Sequence, residues 1–209
     1  MIKAILFDWN GVIVDDLGAV SRANCDVIKE LGGETVTAET WFKEIKQDWH
    51  QFFFDHGVAK KDIDKALPLM KRFYPKYEEY IKLTRNAKQA LDQMKKAGLK
   101  IAILSSVDTA GIEFGLKKFG IKEYFDFVIS GEDIIKPKPH PEGLQKAIAL
   151  FNLKPEEILY VDDMSTIFSQ AKALGMTTIG FKSALSDAGL NNADHACERF
   201  EQILALIQH

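Results

Sequence analysis

Residues 4–16 read AILFDWNGVIVDD. Four apolar residues, Ala4 to Phe7, follow one another without polar alternation and stop at Asp8. An unbroken apolar run of this length is how a strand looks when it is buried on both faces of a parallel sheet. The stretch therefore reads as a strand that delivers a carboxylate to its carboxyl end. In open α/β sheets that end is where ligands bind.

Four more runs of the same kind lie downstream: Leu99–Leu104, Phe125–Ile129, Ile158–Val161 and Thr177–Phe181. Helical patterns separate them. Asn86–Ala97 carries Ala87, Ala90, Leu91 and Met94 on one stripe, and Gly98 stands at its stop. Pro141–Leu150 and Ile167–Leu174 follow the same logic, with Gly175 closing the second. Repeated strand–helix–strand alternation predicts an α/β doubly wound, Rossmann-like parallel sheet. From Asp16 to Arg85 the rhythm breaks. Val20–Leu31, Trp41–His56, Lys61–Lys71 and Tyr74–Leu83 are helix candidates, and no strand is expected among them. The expected organisation is a core of residues 1–14 and 86–209 with an α-helical cap, residues 15–85, inserted after the first strand.

Composition narrows the function classes. The 209 residues are 46% hydrophobic and 27% charged, with a net charge of -3. No basic excess points to nucleic acid or to an anionic membrane surface. No window approaches the ~18 apolar residues of a membrane span. Cys25 and Cys197 form no CxxC pattern and read as free thiols. A soluble, cytoplasmic protein is expected.

The residues that end the strands carry the chemistry. The first run ends in Asp8, followed by Trp9-Asn10-Gly11. The second ends in Ser105-Ser106, the third leads to Lys136-Pro137-Lys138-Pro139-His140-Pro141, and the fourth ends in Asp162-Asp163. Two carboxylate stations, a hydroxyl and a lysine at one sheet edge suit phosphoryl transfer. A carboxylate can attack phosphorus and hold the group covalently. A second carboxylate completes a hard oxygen site for Mg²⁺. The hydroxyl and ammonium offset charge on the transferring group.

In this order, strand-Asp-x-x-Gly-x-x-x-Asp, strand-Ser, Lys-Pro-x-Pro-x-Pro and strand-Asp-Asp, the chain resembles the haloacid dehalogenase superfamily, in its helical-cap phosphatase and mutase branch. The resemblance covers nearly the whole chain, although the cap shares only position and helicity. It implies Asp8 as nucleophile, Ser105 as the hydroxyl that binds the phosphoryl group, and Lys136 as the lysine bridging the two. It also implies Mg²⁺ held by Asp8, Asn10 and Asp162, or Asp163 if the register shifts by one. Ser106, Trp9 and Gly11 are expected beside the substrate, and the substrate is expected to be a small phosphorylated metabolite.

Several positions depart from that pattern. The family's phosphatases usually place a second aspartate two residues after the nucleophile, where it protonates the leaving oxygen; this chain has Asn10. Val12 and Ile167 replace a threonine and a frequent second acid. Asn10 keeps its backbone carbonyl but gives up no proton, and acid–base assistance is worth ~10²–10⁴-fold. Slow or substrate-restricted hydrolysis is therefore expected, unless another acid such as Asp16 substitutes. A second reading is a catalytically weak or inactive protein that binds a phosphometabolite or regulates a partner. A third is a phosphonate hydrolase, with Lys43 or Lys46 as Schiff base, or a dehalogenase.

Each residue also has a plainer reading. Asp8 could be a turn residue, and Ser105 a helix cap. Lys138 could be the bridging lysine, but the spacing to the prolines selects Lys136. Lys43, Lys46 and Arg72 read as a solvated face, and His140 as shaping its loop. His50 and His56, six apart, share no helix face, and His195 and His209 read as structural or solvated. The cap aromatics Trp41, Phe42, Trp49 and Phe52–Phe54 read as core.

Overall fold

A computed structural model describes residues 1–45, 49–183, 186 and 188–207. Lys46 and His209 lie outside the described residues. The chain divides into two compact units, Met1–Val14 with Leu83–His209, and Asp15–Lys82.

The first unit starts with β1, Ala4–Phe7, every residue of which is buried. Two short strands, β2 (Val14–Asp15) and β3 (Lys82–Leu83), pair as a two-stranded ribbon. Between them the second unit runs through α1 (Leu17–Glu30), α2 (Ala38–Glu44), α3 (Trp49–Asp55) and α4 (Ala66–Phe73), with 3-10 turns at Lys60–Lys65 and Tyr74–Tyr80. The first unit resumes with α5 (Ala87–Lys96), β4 (Lys100–Leu104), α6 (Thr109–Phe119), β5 (Phe127–Ile129) and α7 (Glu142–Phe151). It ends with β6 (Ile158–Asp162), α8 (Phe168–Ala173), β7 (Thr177–Phe181), β8 (His195–Cys197) and α9 (Phe200–Ile207).

The main sheet has the order β5-β4-β1-β6-β7-β8, and each adjacent pair is parallel. Alternate residues cover its two faces. Ala4 and Leu6 join Ala102, Leu104, Leu144, Phe151, Phe168 and Ala171 in one core. On the other face Phe7 meets Phe200 of α9 at a ring separation of 5.8 Å, and Phe181 meets it at 5.3 Å. The chain leaves β1 toward β4 and leaves β6 toward β7. These neighbours thus form the point where strand order reverses, the place such sheets reserve for ligands.

The sheet has one strand more than the apolar runs suggested. β8 was not expected, because only Cys197 of its three residues is buried and it leaves no apolar signature. Its His195 is exposed, in line with the solvated reading.

In the second unit the expected helices are broken into shorter pieces. α2 stops at Glu44, with Ile45 extended, where one helix over Trp41–His56 was expected. The stretch expected as a helix over Tyr74–Leu83 is instead a 3-10 segment interrupted at Tyr77 and followed by β3, with Pro75 supplying no N–H there. The guanidinium of Arg22 on α1 lies 3.7 Å from the Tyr80 ring centre, and the Tyr77 hydroxyl donates to Asp26 at 2.9 Å. Trp41, Phe52 and Phe53 are buried, as a packed helical core requires, while Phe42 is 45% exposed. His56 lies between the carboxylates of Glu34 and Glu44. Lys43 is exposed, as is Arg72, which pairs with Glu30 at 3.2 Å. No described helix is long and apolar enough to cross a membrane.

One close approach ties β1's loop to the helix layer. Trp9, 3% exposed, packs its indole on α6, where a Cβ on Gly115 would lie 2.5 Å from Trp9 Cζ2. A rigid ring cannot yield there as a flexible side chain would. Gly115→Ala should therefore cost about 1–3 kcal/mol by overpacking, read as a lower denaturant midpoint with an unchanged slope.

Candidate active site

Parallel register brings the strand ends together. Phe7 is the register partner of both Ile103 on β4 and Val161 on β6, so Asp8 emerges beside Asp162. The ladder continues one step further, with the Asp8 N–H donating to the Val161 carbonyl at 2.8 Å. Beyond β1 the chain turns sharply. Gly11, at φ 76°, donates its N–H to the Val14 carbonyl at 2.8 Å. A Cβ on Gly11 would lie 2.1 Å from Asp163 Oδ2. Glycine is thus required twice, for its left-handed φ and for room beside the carboxylate.

Asp8, Asp162 and Asp163 are all buried, and each offers an oxygen within 4.8 Å of the others. The ammonium of Lys138 bridges two of them, at 2.6 Å to Asp8 Oδ1 and 2.9 Å to Asp162 Oδ2. Asp162 also takes the Tyr160 hydroxyl on Oδ2 and the Met164 N–H on Oδ1, the latter at 2.9 Å. Asp163 accepts the Ser183 hydroxyl at 2.7 Å.

The bridging lysine is Lys138, which corrects the expectation of Lys136. The loop repeats Lys-Pro twice, so both residues satisfy a Lys-Pro-x-Pro spacing, and the run of three prolines favoured the wrong one. Glu142, the first residue of α7, decides the matter. Its carboxylate accepts the N–H groups of Ile135 and Lys136 at 2.7 and 3.1 Å, and Lys136 lies at the exposed surface. The nearer lysine before the helix start is the one that reaches the acids. His140 shapes this loop, its Nδ1 accepting the Glu142 N–H at 3.2 Å.

The other expected positions fall in different places. Ser105, 1% exposed, follows β4 at the same sheet edge, and its Oγ accepts the Val107 N–H at 3.1 Å. Ser106 is exposed, and its carbonyl packs where a Cβ on Gly131 would stand. Trp9, expected beside the substrate, is instead part of the core. The turn that projects Asp8 outward sends the next side chain inward onto α6. Asn10 is half-buried and its backbone bridges to Val14. Asp16, the possible substitute acid, belongs to the other unit and accepts the Tyr74 hydroxyl at 2.9 Å. Tyr160 and Ser183 were not foreseen. An apolar strand gives no hint that one of its tyrosines reaches an acid two residues on, and Ser183 lies in a loop without a motif.

Three carboxylates against one ammonium leave the cluster negative. Burial pushes the Asp8 carboxyl up to about 8; Lys138 pulls it down, and Asp162 and Asp163 push it further up. Burial likewise raises Asp163 to about 6, against the pull of the Ser183 hydroxyl. For Lys138 burial acts downward, but the carboxylates of Asp162 and Asp8 outweigh it and hold its pKa well above a lysine's ordinary value. An all-oxygen, anionic donor set that retains protons for want of positive charge fits a hard divalent cation such as Mg²⁺.

Sequence and structure comparisons agree with this architecture. A family model described as haloacid dehalogenase-like hydrolase matches residues 5–181. Pyrophosphatase PpaX of Bacillus mycoides is 23% identical over 210 residues, covering 99% of this chain and 97% of that protein. A solved structure described as a predicted phosphoglycolate phosphatase from Haemophilus somnus superposes with a TM-score of 0.82 at 22% identity, covering 99% of this chain and 98% of the other. A subfamily IA hydrolase of the same superfamily from Geobacter sulfurreducens superposes at 0.76 with 23% identity, covering 99% and 100%.

The raised carboxyl groups set a pH dependence. An acid whose pKa is higher in the folded state stabilises that state below its unfolded value, and this contribution disappears as pH rises through the folded value. Cation-free protein should lose melting temperature as pH rises toward and through about 8, the folded value of Asp8. A cation must displace the retained protons, so Mg²⁺ should bind more tightly as pH rises through about 6 to about 8. Thermal melts with and without Mg²⁺ across that range should show a cation-induced upward shift that grows with pH.

Proposed function

The chain belongs to the haloacid dehalogenase-like hydrolase family, and we propose that it is a magnesium-dependent phosphatase acting on small phosphorylated metabolites through an aspartyl phosphate at Asp8. The observation that carries this reading is the Lys138 ammonium shared by two buried carboxylates, 2.6 Å from one and 2.9 Å from the other. It holds Asp8 in a fixed place and keeps a positive charge where a phosphoryl group would arrive.

The Asp8 carboxylate attacks phosphorus, and the bond to the leaving oxygen breaks as the acyl phosphate forms. Lys138 and the Ser105 hydroxyl stabilise the negative charge on the phosphoryl oxygens. Water then attacks phosphorus, releasing phosphate and restoring Asp8. Oxygens from the Asp8, Asp162 and Asp163 cluster, with the Asn10 carbonyl, would hold Mg²⁺. When bound, the ion lends charge neutralisation and polarises the transferring group.

Asn10 sets the substrate preference. It can orient a leaving oxygen by hydrogen bonding but gives it no proton, so the best substrates are those whose leaving group needs none. Aryl and acyl phosphates fit. So does pyrophosphate, whose leaving group is itself a phosphate, and relatives of this chain carry the name pyrophosphatase. The cytoplasm is the compartment this reading assigns.

Asp8→Asn should abolish magnesium-dependent hydrolysis of an aryl phosphate; retained turnover would exclude the nucleophile. Asn10→Asp should raise hydrolysis of an alkyl phosphate by about 10²–10⁴-fold, the usual worth of acid–base assistance, and raise aryl phosphate hydrolysis much less. An equal effect on both would refute the missing-acid argument. The two lysines separate in the same assay: Lys138→Ala should lose at least about 10²-fold in kcat, as removal of one charge-stabilising donor does, while Lys136→Ala stays near wild type.

A further inference from the structure

Lys138 stands in a stretch that is poor in backbone donors. Pro137, Pro139 and Pro141 have no N–H, as prolines must. The His140 N–H closes a tight turn onto the Pro137 carbonyl at 3.0 Å. What orients this turn, and with it the Lys138 side chain, must come from its flanks.

One acid takes the last two donors before the prolines. Glu142 accepts the Ile135 N–H on Oε1 at 2.7 Å and the Lys136 N–H on Oε2 at 3.1 Å. The Ile135 bond foremost, then the Lys136 bond, holds its carboxyl below the usual range against the opposing effect of burial. The side chain of Ile135 is 90% exposed, so burial does not fix this point of the chain. Behind Glu142 the anchor is firm. Gly143 is buried where a Cβ would lie 2.6 Å from Leu104 Cδ1 on β4, and Leu144 joins the core of the sheet. One turn along α7, on the same helix face, Lys146 donates to the Asp133 carbonyl at 2.9 Å. The chain before the prolines is thus tied to the start of α7, and Lys138 projects from the arc between onto Asp8 and Asp162.

We propose that Glu142 is a positioning residue for Lys138: by clasping the backbone of residues 135 and 136 it sets where the ammonium stands between Asp8 and Asp162. It acts through the loop and not on the reacting atoms. The role deepens the phosphatase reading and rests on it, since misplacing a catalytic group by about 1 Å can lower a rate by about 10²-fold.

A double-mutant cycle in the full chain tests this. Glu142→Ala should lower kcat for an aryl phosphate by about 10²-fold, and Glu142→Gln, which keeps one accepting oxygen, should lose less. Added to Lys138→Ala, the same Glu142→Ala change should lower kcat little further, because residues that act as a unit are not additive. A glutamate that only supports the fold would lower kcat by the same factor in both backgrounds. That result, or an unchanged kcat in Glu142→Ala, would overturn the assignment. A second readout needs no turnover. Acetylation with peptide mapping should modify exposed Lys136 and spare Lys138, whose side chain is 14% exposed. Glu142→Ala should raise labelling of Lys138 severalfold while the buried Cys197 stays unreactive toward a thiol reagent. Should Cys197 react, the variant has unfolded and Glu142→Gln decides. Unchanged protection of Lys138 would overturn the proposal. Raised labelling would sustain it even if the wild-type chain hydrolyses none of the phosphates offered and the phosphatase reading falls.

Discussion

Lys138 shares one ammonium between Asp8 and Asp162, and the rest of the site depends on that sharing. Taking charges out of water is expensive, and a buried carboxylate survives only with close partners. The cluster places three acids below a tenth exposure and offers a single lysine to balance them. Two of the acids accordingly hold their protons far above the usual carboxylate range. That residual demand for positive charge is what a divalent cation would answer. A phosphoryl group arriving beside it would find the ammonium already in place.

The sheet makes the arrangement possible. Asp8 and Asp162 meet because β1 and β6 are parallel neighbours in register, and the loop between β5 and α7 brings Lys138, 130 residues from Asp8 in sequence, onto both. Continuous apolar strands, closed on both faces by helices, leave no freedom for the strand ends to drift. Gly11 then lets the chain turn away beneath the Asp163 carboxylate, where any side chain would collide. Rigid delivery of charged groups by buried elements is the economical way to preorganise a site. Asn10 lies on the same turn, its backbone bridged to Val14, and an amide there occupies the space of a carboxylate without a proton to give.

Much of this was legible in the sequence. The unbroken runs ending in Asp8, Ser105 and Asp162 located the sheet and its active edge, because burial on both faces leaves a strong signature. β8 left none, since two of its three residues face solvent. The choice between Lys136 and Lys138 turned on a repeated dipeptide whose period matches the spacing sought; only the cap that Glu142 places on the backbone of residues 135 and 136 resolves it. Adjacency to Asp8 suggested a place for Trp9 beside the substrate, but it says nothing about which way a side chain leaves a turn, and the ring packs inward on α6. Tyr160 was invisible for a different reason: an apolar strand reads as packing, and a hydroxyl within it acquires meaning only once its acceptor is known.

The account stands on Asp8 as the residue that takes the phosphoryl group. Reductive trapping tests this most directly: an aspartyl phosphate formed during turnover of an aryl phosphate is reduced by borohydride to homoserine, which peptide mass mapping locates. The account predicts conversion at Asp8 alone, dependent on both substrate and Mg²⁺. An unmodified Asp8 peptide recovered from enzyme trapped while turning over, or conversion at a different acid, would contradict it.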